Sequence, residues 1–69
     1  MRLTKIKLKR LESGRQQIEV AQAARISRSR LSEIENGHVV PRADELVRLA
    51  ATLGCETRAL SNGTVGGRR

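Results

Sequence analysis

Leu46, Leu49, Ala50 and Leu53 fall at i, i+3, i+4 and i+7, the spacing that lines one stripe of an α-helix. Asp44 and Glu45 load the first turn of this segment, where the helix dipole favours negative charge, and Gly54 follows as a stop. Weaker versions of the same period come earlier. Leu3, Ile6 and Arg10 run up to Gly14 and predict a helix closed by a left-handed cap, with Leu8 and Leu11 widening its stripe. Ile18, Val20, Ala21 and Ala24 predict a second, two-turn helix over Gln17–Ala24, whose alanines let a neighbour approach closely. Arg25 and Ile26 interrupt it. Ser27 then offers a hydroxyl N-cap to a third helix over residues 28–36, which Asn36 and Gly37 end. In that helix Leu31 and Ile34 point inward, while Arg28, Ser29, Ser32 and Glu33 share the opposite face. Val39, Val40 and Pro41 read as extended, because a residue before proline avoids the helical region. Residues 55–60 predict a fifth short helix, and residues 61–69, without apolar periodicity, a flexible basic tail. The expectation is a compact all-α, five-helix domain over residues 1–60.

Length and charge narrow what such a domain can do. Sixty-nine residues hold one domain and leave too little chain to surround a substrate pocket, so no enzyme and no small-molecule substrate are expected. The formal charge is +7, and all of the excess lies in residues 1–30, where nine basic groups face only Glu12 and Glu19. Such polarity suits a polyanionic partner, with a merely solvated basic face as the alternative. The single cysteine, Cys55, excludes a disulfide framework within the chain and reads as a small apolar filler. His38 stands without a second ligand type nearby, and Ser27 without a histidine, so neither a metal, a cofactor nor a catalytic triad is expected. No apolar run approaches the roughly 18 residues of a membrane span, and the basic start lacks the apolar face of a surface-bound helix. An intracellular, cytoplasmic protein is expected, at the nucleoid of a bacterial cell.

The element that carries chemistry is the pair of short helices at Gln17–Ala24 and residues 28–36. The second presents a face without large apolar residues and is braced from behind by aliphatics. A helix entering the DNA major groove, about 12 Å wide, needs that construction. Gln17-Ile18-Glu19-Val20-Ala21, Ile26-Ser27, Leu31-Ser32-Glu33-Ile34-Glu35-Asn36-Gly37, Pro41 and the leucine stripe from Leu46 to Leu53 together closely resemble the helix-turn-helix proteins of the lambda-repressor and Cro type. The resemblance spans roughly residues 3–60, and the short length is similar to that of a phage Cro-like repressor or the DNA-binding domain of a larger one.

The resemblance implies roles residue by residue. Arg28, Ser29 and Glu33 occupy positions that meet base edges. Gln17 and Asn36 occupy positions that hold phosphates, and Arg10 with Glu35 matches a buried ion pair tying the first helix to the recognition helix. Two residues depart from the family pattern: Arg25 stands where the turn usually has glycine, and Arg15 where an aliphatic is usual. Both exchange local stability for charge, and one or the other is expected at DNA phosphates. Arg30, Arg42 and His38 are added to the phosphate set, His38 with solvent exposure as its alternative. Arg28 suits guanine, with phosphate or solvent as its alternatives; Glu33 suits cytosine, or excludes wrong sequences, or orients Arg28 or Arg30.

Duplex DNA is favoured over RNA, since sequence-reading RNA modules stack bases on aromatics and this chain has none. One short helix reads few base pairs, so a homodimer on a palindromic operator is expected, with half-sites about 34–36 Å apart and Arg58 and Leu60 at the dimer interface. Transcriptional repression is the expected role. The alternative is an antitoxin-type protein that autoregulates its promoter and binds a partner protein.

Overall fold

The computed structural model describes residues 4–60. The expected tail at 61–69 and Leu3 lie outside the described residues. Four α-helices follow one another: α1 (Lys5–Ser13), α2 (Gln17–Ala24), α3 (Arg28–Glu35) and α4 (Ala43–Leu53). The fifth helix expected over residues 55–60 is instead one 3-10 turn, Thr57–Ala59. Only three residues separate Glu56 from Leu60, so the bonds close at i+3: Ala59 N–H donates to the Glu56 carbonyl and Leu60 N–H to that of Thr57, each at 2.9 Å.

Local chemistry sets the helix ends. Thr4 Oγ1 accepts from Lys7 N–H at 3.1 Å and starts α1, and Ser27 Oγ accepts from Arg30 N–H at 3.0 Å and starts α3. At α4, Glu45 Oε1 reaches back to Arg42 N–H at 2.8 Å. α1 and α2 stop on the same paired bonds. Arg15 N–H returns to the Arg10 carbonyl and Gly14 N–H to that of Leu11, just as Ile26 returns to Ala21 and Arg25 to Gln22. Both stops need a left-handed residue. Gly14 supplies it at φ 72°, whereas in the turn between α2 and α3 Arg25 holds φ 62°. A side chain in that conformation costs about 1–2 kcal/mol.

The core gathers Ile6, Val20, Ala21, Ala24, Leu31, Ile34, Leu49, Ala50 and Leu60, with Ile26, Val39, Leu46, Leu53 and Cys55 packed around it. α2 lies against both α3 and α4, and α1 touches the same two helices. Ile18 is exposed, because at about 100° per residue it lies nearly opposite Val20, which takes the buried face. One expectation is corrected here. Leu60 is 1 % exposed and belongs to the core of its own chain, so it is not available to a dimer interface. The 3-10 turn swings it inward against α4. Arg48 adds a polar tie: its Nε donates to the Ala24 carbonyl at 2.7 Å, satisfying the end of α2, while Nη1 donates to Asp44 Oδ2 at 3.0 Å.

Candidate nucleic-acid interface

α3 has two unlike sides. Leu31, Ile34 and Glu35 are buried, and Arg28, Ser29 and Glu33 are exposed with Ser32 half-buried between them. Leu31 and Ile34 are three residues apart and so lie on one face, which locks the helix axis to α1 and α2. The front is a shallow open groove lined by Gln17, Arg28, Ser29, Ser32 and Glu33. No aliphatic enters it. Every group lining it is a hydrogen-bond donor or acceptor, which is the equipment for reading base edges.

Behind the groove is a buried carboxylate. Glu35 is 1 % exposed, and Arg10 grips it through two parallel bonds, Nε to Oε2 at 2.7 Å and Nη2 to Oε1 at 3.1 Å. The third nitrogen of Arg10 donates to the Arg15 carbonyl at 3.0 Å, so the guanidinium joins α1, the α1–α2 loop and α3. Gln17 Nε2 also donates to Glu35 Oε1, at 3.2 Å. Thr4 Oγ1 donates to the Glu35 carbonyl at 2.9 Å, a tie across 31 residues. Gln17 Oε1 in turn accepts from Arg28 Nε at 3.2 Å. The amide of Gln17 thus spans from the buried acid to the recognition face.

A second fork lies on the flank. Arg30 donates Nε to Glu45 Oε2 at 3.1 Å and Nη2 to Oε1 at 3.0 Å, tying α3 to α4. The hydrogen bonds from Arg30, with the Arg42 N–H and the nearby positive charges, hold the Glu45 carboxyl below its usual range against the opposing effect of burial. Arg30 is pushed up from its ordinary value chiefly by the same bond, with Glu33 adding a smaller attraction. Two of the three guanidinium nitrogens of Arg30 are therefore engaged within the protein rather than presented to a phosphate.

The other expected phosphate groups lie in the turns and loops that flank the helices. Arg15 and Arg25 are exposed in the turns on either side of α2, Asn36 and His38 are exposed after α3, and Arg42 is exposed before α4. Asn36 Nδ2 makes only a long contact of 3.5 Å to Ser32 Oγ. Arg58 lies on the 3-10 turn, away from α3 in sequence, with its Nε 2.9 Å from Glu56 Oε1. Cys55 is half-buried against the core. Among the described residues no three His, Cys, Asp or Glu gather as a metal site, and no helix is long and apolar enough to cross a membrane.

Sequence reasoning missed the ties of Thr4, Gln17, Glu45 and Arg48. For Thr4 a signal exists, since a threonine just ahead of an apolar-periodic run marks an N-cap. The others join residues on different helices and have no local signature. Residues 6–60 match the sequence model of the helix-turn-helix family, a span that takes in the groove, both forks and the core described above. No curated protein and no solved structure matches the chain. With the match covering most of its length and the groove formed on the second helix of the motif, the chain belongs to the helix-turn-helix family of the Cro and lambda-repressor type, DNA-binding regulators of transcription.

Proposed function

We propose that the protein is a repressor that binds a palindromic operator in double-stranded DNA as a homodimer, with α3 of each copy in the major groove. The observation that carries this reading is the two-sided build of α3, enclosed aliphatics behind and an open polar groove in front. Arg28 offers paired N–H groups to guanine O6 and N7, and Glu33 accepts from cytosine N4. They are five positions apart, about 7.5 Å along the helix axis, which matches roughly two base-pair steps. Ser29 lies on the same face beside Arg28 and takes a neighbouring base edge. Arg15, Arg25, Asn36, His38 and Arg42 hold phosphates, which fix orientation without reading sequence.

The second copy packs against the loop at Val40 and the turn at Arg58. Val40 is 85 % exposed, and burying it against an equivalent loop would remove apolar surface from water. Such a regulator works at the nucleoid, in bacterial cytoplasm. Selection of preferred sites from a random duplex pool should return a two-fold symmetric motif. On that motif Arg28→Ala should cost about 1–3 kcal/mol and flatten the preference at one position per half-site. Equal weakening on every duplex would make Arg28 a phosphate ligand, and selection of single-stranded sequences alone would remove the duplex reading.

A further inference from the structure

Two leucines of α1 stand apart from the core. At about 100° per residue, Leu8 and Leu11 lie roughly 200° and 140° round the helix from buried Ile6. Both therefore point away from the side on which Ile6 and Arg10 fasten α1 to its neighbours. Leu11 is 53 % exposed, and Leu8, half-buried, belongs neither to the core nor to the residues packed around it. Three positions apart, they form one apolar ridge. Its rim is basic. Lys7 flanks the ridge on one side and Lys5 on the other, and neither has an acidic partner among the described residues. Glu12, the one acid among the α1 residues, is bridged to Lys9 at 3.9 Å.

Charge selects among the occupants such a ridge could take. A second copy of the chain would set lysines against lysines, and residues 61–69 carry Arg68 and Arg69 but no acid. DNA phosphates would suit the lysines and give the leucines nothing to pack on. A helix with leucines along one stripe and glutamates beside it satisfies both, as flanking charges choose partners between paired helices. We propose that the outer face of α1, Leu8 and Leu11 between Lys5 and Lys7, docks an acidic amphipathic helix of a partner protein. This does not depend on the base-reading roles proposed above. The ridge faces away from the side of α1 that meets α3, so partner and duplex DNA are held at the same time.

The probe is a synthetic helical peptide with leucines at alternating third and fourth positions and glutamates on both flanks. Titrated into isotope-labelled protein, it should move the amide signals of α1 and leave those of α3 in place. A peptide with the same leucines and lysines for glutamates should bind roughly 10-fold more weakly or worse. Leu11→Gln should weaken the acidic peptide roughly 5-fold and Lys7→Gln roughly 3-fold. Leu11→Gln should leave affinity for duplex DNA within about twofold. The peptide should also stay bound when the protein is saturated with duplex DNA. Its loss on adding DNA would place it on the DNA-binding face and overturn the proposal, as would equal affinity for the two peptides or no effect of Leu11→Gln. A wild-type dimer in sedimentation that Leu11→Gln dissolves would give the ridge to a second copy instead. Capture of wild type, but not of Leu11→Gln, by anionic phospholipid vesicles would give it to a membrane, and either result overturns the assignment. If Leu11→Gln does not fold, the wild-type signals decide: shifts confined to α1 support the ridge, and shifts spread over α3 refute it.

Discussion

Arg10 on Glu35 and Arg30 on Glu45 are the same device in different surroundings. Each arginine donates two parallel hydrogen bonds to a carboxylate, and each fastens α3 to a neighbouring helix. The side chains of the first pair are 12 % and 1 % exposed, and those of the second 32 % and 9 %. Identical geometry therefore carries different consequences. In the first pair Glu35 has exchanged water for Arg10 and Gln17, and little solvent can reach it if either leaves. In the second, solvent reaches the arginine and competes for its N–H groups, although Glu45 is largely enclosed. The enclosed fork dictates where α3 lies relative to α1, and the open fork braces it against α4 without being indispensable.

The largest effect should come from breaking the enclosed fork from one side. Arg10→Met leaves a buried carboxylate with only the Gln17 amide, a situation that destabilises by about 3–5 kcal/mol. Small domains have about 5–15 kcal/mol in total, so urea unfolding should shift far towards low denaturant. Adding Glu35→Leu to the same chain should recover much of the loss, because the orphaned charge is gone. A loss below about 1 kcal/mol for Arg10→Met would put Glu35 in contact with water and erase the contrast between the forks.

Features of the chain that act locally were legible before the fold was known. Gly14, Ser27, Pro41 and Gly54 mark helix ends through their own backbone chemistry, and the structure has the four α-helices between such marks. The stripe of Leu46, Leu49, Ala50 and Leu53 likewise names the face that α4 turns to the core. Ile18 shows what the period leaves open: a two-turn helix carries apolar residues on more than one side, and only packing decides that Val20 is buried and Ile18 exposed. Leu60 misled because its destination depends on a 3-10 turn rather than on a period. The outward face of Arg28, Ser29 and Glu33 followed from its opposition to Leu31 and Ile34, and the pairing of Arg10 with Glu35 came only from family resemblance. No pattern announces that Arg30 meets Glu45, or that Gln17 lies between Glu35 and Arg28. Those partners are 11 to 18 residues apart and meet only because of how the helices cross.

A smaller effect, with a signature in pH, belongs to the open fork. Glu45 holds its proton less tightly in the folded chain than its ordinary value near 4.5, chiefly because Arg30 hydrogen-bonds the ionised form. Between the folded value and 4.5 the unfolded chain binds the extra proton, so stability rises with pH through that window. The contribution is complete above it and disappears as pH falls through the folded value. Glu45→Gln should therefore be less stable than wild type at pH 7, by less than Arg10→Met, and the gap should close below pH 4.5. A gap that persists unchanged to pH 3 would mean that the substitution disturbs packing and not the ion pair.

Salt separates the forks by the smallest expected effect and the most direct one. Raising sodium chloride from about 0.1 M to about 1 M shortens the screening length from roughly 10 Å to roughly 3 Å, but only where ions can approach. Arg30 is open enough for that approach, so the difference between wild type and Glu45→Gln at pH 7 should narrow. Glu35 admits no ions, and the difference between wild type and Arg10→Met should stay within error of its low-salt size. Taking differences removes the general influence of salt on unfolding, which acts on variant and parent alike. If both differences shrank in proportion, ions would be reaching both carboxylates. The grip of Arg10 on α3 would then be a surface contact, and the recognition helix would owe its position to Leu31 and Ile34 alone.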